Sequence, residues 1–228
     1  MKYMKRNDNV SAFGADEYDR EIRRTLPYYD KFYMTVIDVV KAYKTSAVKW
    51  LDVGCGTGKM AQSAFEQTDI EKLVLCDCSD KMIEISKNRF GSRKNAEFIV
   101  SSILELDTDE KFDVITAIQV NHYLKKDERL SALKKYYQAL KPDGILICFE
   151  NFAPNSEQGE KLFLKRWYLF QRSQGKSEDE CMEHINRYKK SYFPITIPEH
   201  IEAISSAGFK SAEVIWLSYM QAGLLGIK

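Results

Sequence analysis

The chain lacks a stretch approaching the ~20 consecutive apolar residues of a membrane-spanning helix. Its most apolar tail, residues 214–227, is broken by Ser218, Gln221 and two glycines. Residues 1–9 lack the apolar core of a signal peptide. There is no excess charge of either sign: 34 basic and 33 acidic residues leave a formal net charge of +1. That balance gives no electrostatic case for a dedicated nucleic-acid binder, although a local basic patch stays open. Histidine is scarce, at three, and the five cysteines do not fall at zinc-ribbon or redox C-x-x-C spacing, since Cys76 and Cys78 are separated by one residue. No metal cluster is expected. Reduced, mostly buried thiols point to the cytoplasm. No internal repeat or low-complexity segment is present. What remains is 228 residues with 44% hydrophobic and 12% aromatic content, enough for one domain with a full core and short for two.

The run Leu51-Asp52-Val53-Gly54-Cys55-Gly56-Thr57-Gly58-Lys59 organises the rest. It reads as a buried strand ending in an acid, a sharp turn on three glycines, and the start of a helix. The alternation is G-x-G-x-G, distinct from the G-x-G-x-x-G of dinucleotide loops. Glycine allows positive φ in such a turn and, with no Cβ, lets a ligand lie against the backbone.

Upstream, apolar residues recur at three and four positions across 16–43, which predicts two amphipathic helices parted near Pro27. Residues 1–14 read as polar and loosely ordered. Downstream, strands at 49–53, 72–77, 97–100, 112–118 and 145–150 alternate with helices at 59–67, one opening at 79–84, and one at 130–140. Strands separated by single helices predict a doubly wound parallel α/β sheet covered on both faces. Residues 151–197 form an excursion with helices at 157–173 and 177–189. A helix at 199–207 and two antiparallel strands, 210–218 and 220–227, close the chain. The organisation expected is a single domain: residues 1–45 as lid helices, 46–150 as a cofactor core, 151–197 as an acceptor-side insertion and 198–228 as closing elements.

In an open parallel sheet the ligand sits beyond the carboxyl ends of the strands. Asp52 and the glycines end strand one, and Asp77 ends strand two. Ser101 and Ser102 end strand three, and residues 119–123 end strand four. A carboxylate in the position of Asp77 can accept both hydroxyls of a ribose. The four ends together point to a nucleoside.

With these residues the sequence resembles the class I S-adenosylmethionine-dependent methyltransferase family, over residues 46–150, on the 52–58 loop, Asp77 and Leu140-Lys141-Pro142-Asp143-Gly144. The resemblance implies a Rossmann-like seven-stranded sheet in the order 3-2-1-4-5-7-6, with an antiparallel closing hairpin. Its implied cofactor is S-adenosyl-L-methionine. The implied contacts are Gly54, Gly56, Gly58 and Gln119 on the methionine part and Asp77 on the ribose. Cys78, Met82, Ser102 and Ile103 would lie along the adenine, where many relatives carry Asp in place of Ser102. Residues 17–30 and 117–124 look like a small-molecule subgroup, with weaker similarity to carboxy-S-adenosylmethionine synthases. On that likeness Tyr18, Arg23 and Tyr28 are lid candidates.

Transfer from a sulfonium needs alignment and exclusion of water, and a base only where the nucleophile must lose a proton. His122 stands where such a base would stand, while His184 and His200 are read as surface residues. Arg166, Trp167, Tyr168, Arg187, Tyr188 and Tyr192 are available to an aromatic or anionic acceptor. The expected activity is methyl transfer to a small molecule by a monomer or homodimer. An RNA-modifying or carboxy-S-adenosylmethionine enzyme, or a non-catalytic binder of the cofactor, are the alternatives.

Overall fold

The computed structural model describes residues 11–228. The signal-peptide reading and most of the loosely ordered segment fall on residues 1–10, outside that range. Residues 11–13 are not loose: the Phe13 ring stacks on His184 with centroids 5.6 Å apart and takes the Lys176 ammonium over its face at 4.7 Å.

Seven strands form one sheet in the order β3-β2-β1-β4-β5-β7-β6. They are β1 (Val48–Val53), β2 (Ile70–Asp77), β3 (Ala96–Val100), β4 (Phe112–Ile118), β5 (Leu140–Asn151), β6 (Ser211–Ser218) and β7 (Gln221–Ile227). The first five pair in parallel, and β7 pairs antiparallel with both β5 and β6. The expected order and hairpin therefore hold. β5 starts earlier than the sequence suggested. Leu140 already pairs with Phe112 before a register shift, and Asp143 takes φ 55° ahead of Gly144.

Alternate residues of a strand face opposite sides, and both sides are apolar here. Trp50, Leu73, Leu75, Val114, Ile145, Ile147 and Phe149 pack one core with α2 (Tyr29–Tyr43), α3 (Lys59–Gln67) and α4 (Asp80–Phe90). Their neighbours Leu51, Val53, Val74, Cys76, Ile115, Leu146 and Cys148 pack the other with α5 (Lys126–Ala139) and α8 (Ile197–Ser206). Phe32 anchors α2: it is fully buried and stacks on Phe149 at 4.8 Å. Truncating such a ring to Ala costs ~3–5 kcal/mol. Ser79 caps α4 through the Met82 amide, as its position before Asp80 predicted.

Two groups of helices crown the carboxyl edge of the sheet. α1 (Tyr18–Thr25) precedes α2, with Pro27 in the break between them. α6 (Glu157–Ser173) and α7 (Glu178–Ile185) follow β5. α1 is pinned to α6 and the loop after it. The Trp167 indole donates to the Thr25 carbonyl at 2.6 Å, and the Lys176 ammonium donates to the Thr25 hydroxyl at 2.6 Å. Arg24 reaches the carbonyls of Gln174 and Gly175. Among the described residues no helix is long and apolar enough to cross a membrane.

Candidate functional site

The β1–α3 turn is built as a cradle. The Thr116 hydroxyl accepts from the Trp50 indole at 2.9 Å and donates to Asp52 Oδ1 at 2.7 Å, which orients the Asp52 carboxyl. Asp52 Oδ2 is buried with no partner among the described residues. Burial pushes this carboxyl up from 3.8 to about 7, against the Thr116 hydrogen bond and with the Asp77 charge adding to the rise. Gly54, Gly56 and Gly58 all take positive φ. Their side-chain space differs. A Cβ on Gly54 would lie 2.3 Å from Val120 Cγ2, and one on Gly58 would lie 2.7 Å from the Phe90 ring. At Gly56 nothing stands within 4 Å. Protein side chains thus close on two of the glycines, and only Gly56 faces open space.

Asp77 holds that turn in place. Its Oδ2 accepts from the Gly56 amide and its Oδ1 from the Ser79 amide, both at 2.9 Å. The Cys78 amide and thiol donate to the same carboxyl. Burial raises the Asp77 carboxyl and these backbone bonds oppose the rise. Beside the turn lies a cavity of ≈ 300 Å³, lined by Tyr18, Tyr29, Tyr33, Asp52, Gly56 and Lys59 among others. The Tyr33 hydroxyl donates to that of Tyr29.

A second cavity of ≈ 380 Å³ adjoins it, with Tyr18 in the wall of both. Gln119, His122, Tyr123, Arg187 and Tyr192 also line it. Gln119 sits at φ 60°, its amide nitrogen donating to the Phe149 carbonyl and its oxygen accepting from Asn151. A non-glycine residue in that backbone region is strained, a feature that clusters at functional sites. The Tyr123 hydroxyl, pushed up to about 12 by burial, pairs with the Arg187 guanidinium. The Tyr192 hydroxyl is buried without a partner among the described residues. His122 ring Nδ1 lies 2.6 Å from Glu150 Oε2.

α1 is tied to the glycine turn by one residue. Asp19 accepts from the Thr57 hydroxyl at 2.6 Å and from Arg89 at 2.8 Å, with Lys59 at 3.7 Å. Burial would raise the Asp19 carboxyl, but the Thr57 and Arg89 hydrogen bonds outweigh it and hold it low.

Of the residues singled out by sequence, the structure gathers Tyr18, Asp52, Gly54, Gly56, Gln119 and His122 around these two cavities. Asp77 and Gly58 support the turn from behind. Met82 and Ile103 are buried in the flanking cores, Ser102 is partly buried, and Cys78 is exposed. None of these four lines either cavity. Tyr28 is corrected: it is 61% exposed, because the break at Pro27 puts it at φ 57° and turns its side chain outward. Tyr29 and Tyr33, one turn of α2 apart, face the cavity instead. Arg23 pairs with Asp30 at the surface.

His184 and His200 are corrected too. His184 lines the second cavity against Trp167, with burial lowering it to about 3, and His200 is fully buried and lowered to about 4 by burial. Glu150 and Asp19 were missed. Glu150 carried the same signal as Asp52 and Asp77, an acid at the end of an apolar strand. Asp19 carried none, since its partners lie 38 and 70 residues away.

Residues 51–144 match a family model described as a methyltransferase domain. The carboxy-S-adenosyl-L-methionine synthase of Nautilia profundicola is 28% identical over 205 residues, covering 89% of this chain and 86% of that protein. The enzyme of the same name from Wolinella succinogenes is 26% identical over 90% of this chain and 88% of its own length. Among solved structures, an S-adenosylmethionine-dependent methyltransferase from Clostridium acetobutylicum superposes with a TM-score of 0.67 at 14% identity, over 93% of this chain and 96% of that one. At that identity the superposition shows the fold.

Proposed function

We propose that this chain is a class I S-adenosylmethionine-dependent methyltransferase that moves the methyl group of S-adenosyl-L-methionine to a small, carboxylate-bearing acceptor. The residues present fit the cofactor. The partnerless Asp52 Oδ2 suits the ammonium of its methionyl part, and Gly56 offers bare backbone beside the Asp77 carboxylate, which suits ribose hydroxyls. The bound cofactor supplies an electrophilic methyl on a sulfonium. The protein supplies alignment and exclusion of water. On this reading residues 1–45 are the lid, 46–150 the cofactor core, 151–197 the acceptor wall and 198–228 the closing elements. Met82, Cys78, Ser102 and Ile103 belong to the adenine end and His122 to the acceptor end.

The observation that carries the acceptor class is the second cavity. It sets the guanidinium of Arg187 beside the partnerless hydroxyl of Tyr192, across Tyr18 from the cofactor cradle. A planar fork of donors matches a carboxylate in two-point contact. The cavity is narrow, walled by α1 on one side and by His184, Arg187 and Tyr192 on the other, and has no room for a folded RNA. The free, mostly buried cysteines agree with a reducing compartment such as the cytoplasm.

A second reading, formation of a carboxylated S-adenosylmethionine, is favoured by the relatives bearing that name. They align over about nine-tenths of the chain and so extend beyond the 51–144 core. A carboxylate created on the cofactor would meet the same Arg187. Purified protein incubated with methyl-labelled S-adenosylmethionine, a small-molecule extract and total RNA separates the readings by mass spectrometry. S-adenosylhomocysteine with label in a small acid supports methyl transfer. A carboxylated sulfonium supports the second reading. Label in RNA, or cofactor returned unchanged, overturns both.

A further inference from the structure

Glu150, next to last in β5, is fully buried beneath the acceptor cavity. A carboxylate there costs several kcal/mol unless donors surround it. Three donors do. The Asn121 amide reaches Oε1 at 3.0 Å, and the His122 amide reaches Oε2 at 3.1 Å. The third contact is to the His122 ring, through Nδ1 at 2.6 Å. Burial would raise the Glu150 carboxyl, but the His122 hydrogen bond and charge, with the Asn121 amide, hold it below its ordinary value. An ionised Glu150 accepts only, so the ring nitrogen that faces it, Nδ1, carries a proton.

The remaining ring nitrogen, Nε2, has no hydrogen-bond partner among the described residues, and the ring lines the cavity. It packs at 4.4 Å from Tyr123 and edge-on at 5.5 Å from Tyr192. Arg187 stands beyond Tyr123. Two amide bonds would suffice to cap the short turn Asn121–Tyr123. The third contact fixes a ring orientation that capping does not require.

We propose that Glu150 is a positioning residue that locks His122 with its proton on Nδ1, so that Nε2 is presented to the acceptor cavity as the atom that takes a proton from the acceptor. The acceptor class narrows accordingly, to a molecule with an acidic O–H as well as the carboxylate for Arg187. Its oxygen gives the proton to Nε2 and gains the methyl, while sulfur keeps the bonding pair and leaves as a neutral thioether. This rests on the reading of the second cavity as the acceptor site.

The test uses ¹⁵N-histidine-labelled full-length protein, in which three histidines give three ring systems and His122→Asn assigns the one of interest. Long-range ¹H–¹⁵N correlation near neutral pH is expected to show His122 as the Nδ1–H tautomer with Nε2 unprotonated. In Glu150→Gln that tautomer preference is lost, while calorimetric affinity for S-adenosylhomocysteine changes less than twofold. A wild-type His122 protonated on Nε2, or an unchanged tautomer in Glu150→Gln, overturns the proposal. Should Glu150→Gln not fold, the wild-type spectrum alone decides. Absence of any S-adenosylhomocysteine binding by the wild type instead sinks the reading of the cofactor site and is told apart from both.

Discussion

Around Gly56 the protein offers backbone, and around Arg187 it offers side chains. The side proposed for the cofactor is made by one contiguous turn, residues 52–58, braced from beneath by Asp77 and Thr116. Its shape follows from positive φ at three glycines and from two residues that close on them, Val120 and Phe90. The side proposed for the acceptor is assembled from α1, the end of β4, the end of β5 and the segment after α6. Its lining residues come from positions as far apart as Ser11 and Tyr192. A feature shared by many chemistries is written locally, whereas one particular to this chain depends on long-range packing.

Changes on the two sides should therefore separate binding of the cofactor from handling of the acceptor. The largest effect is expected at Asp52. Its folded pKa, about 7, lies above the ordinary 3.8, so its ionisation costs stability progressively as pH rises from about 4 to 7. Asp52→Asn removes that cost. In urea melts of the cofactor-free protein its gain over wild type should be near zero at pH 4 and rise to as much as roughly 4 kcal/mol by pH 8. A pH-independent difference would show that the carboxyl is not so perturbed.

Next, Gly54→Ala should cost about 3 kcal/mol, from its Cβ against Val120 and its left-handed backbone. Gly56→Ala should cost only about 1 kcal/mol in stability yet abolish S-adenosylhomocysteine binding by calorimetry. If both variants lost stability equally, Gly56 would not face a ligand. On the other side, Arg187→Ala should lower kcat/KM for the acceptor ~30-fold, about 2 kcal/mol, with cofactor affinity intact. A matched fall in cofactor affinity would erase the distinction between the two sides.

Asp77→Ala should weaken S-adenosylmethionine binding at least ~10-fold, since a buried carboxylate accepting several donors contributes more than ~1.4 kcal/mol. The smallest effect is expected at Asp19, which joins the two sides. Asp19→Asn keeps the Thr57 contact but loses the charge toward Arg89 and Lys59, partly exposed groups worth under ~1 kcal/mol. Faster release of cofactor in stopped flow, with unchanged melting, would mark α1 as the lid. An unchanged release rate would leave it as packing.

The cofactor side was legible because its signals are short-range. Alternating glycines after a strand, an acid at the next strand end and Ser79 before Asp80 each act within a few residues of themselves. The helix expected at 157–173 is also the observed α6, since its apolar spacing reports one face directly. Tyr28 and Tyr29 show the limit of that reading. Both flank the break at Pro27, and a single left-handed residue sends one to solvent and the other into the cavity. His184 and His200 show another limit. Polar side chains in a helix look solvent-facing until Trp167 packs on one, and the second core buries the other.

By itself the sequence determined the layered α/β sheet and the glycine turn after its first strand, because periodicity and glycine backbone freedom are properties of neighbours along the chain. Only tertiary structure decided that Glu150 orients His122, that Asp19 ties α1 to the glycine turn, and that Arg187 shares a cavity with Tyr192. Those partners meet because packed elements bring distant residues within hydrogen-bonding range, and no local pattern encodes such a meeting.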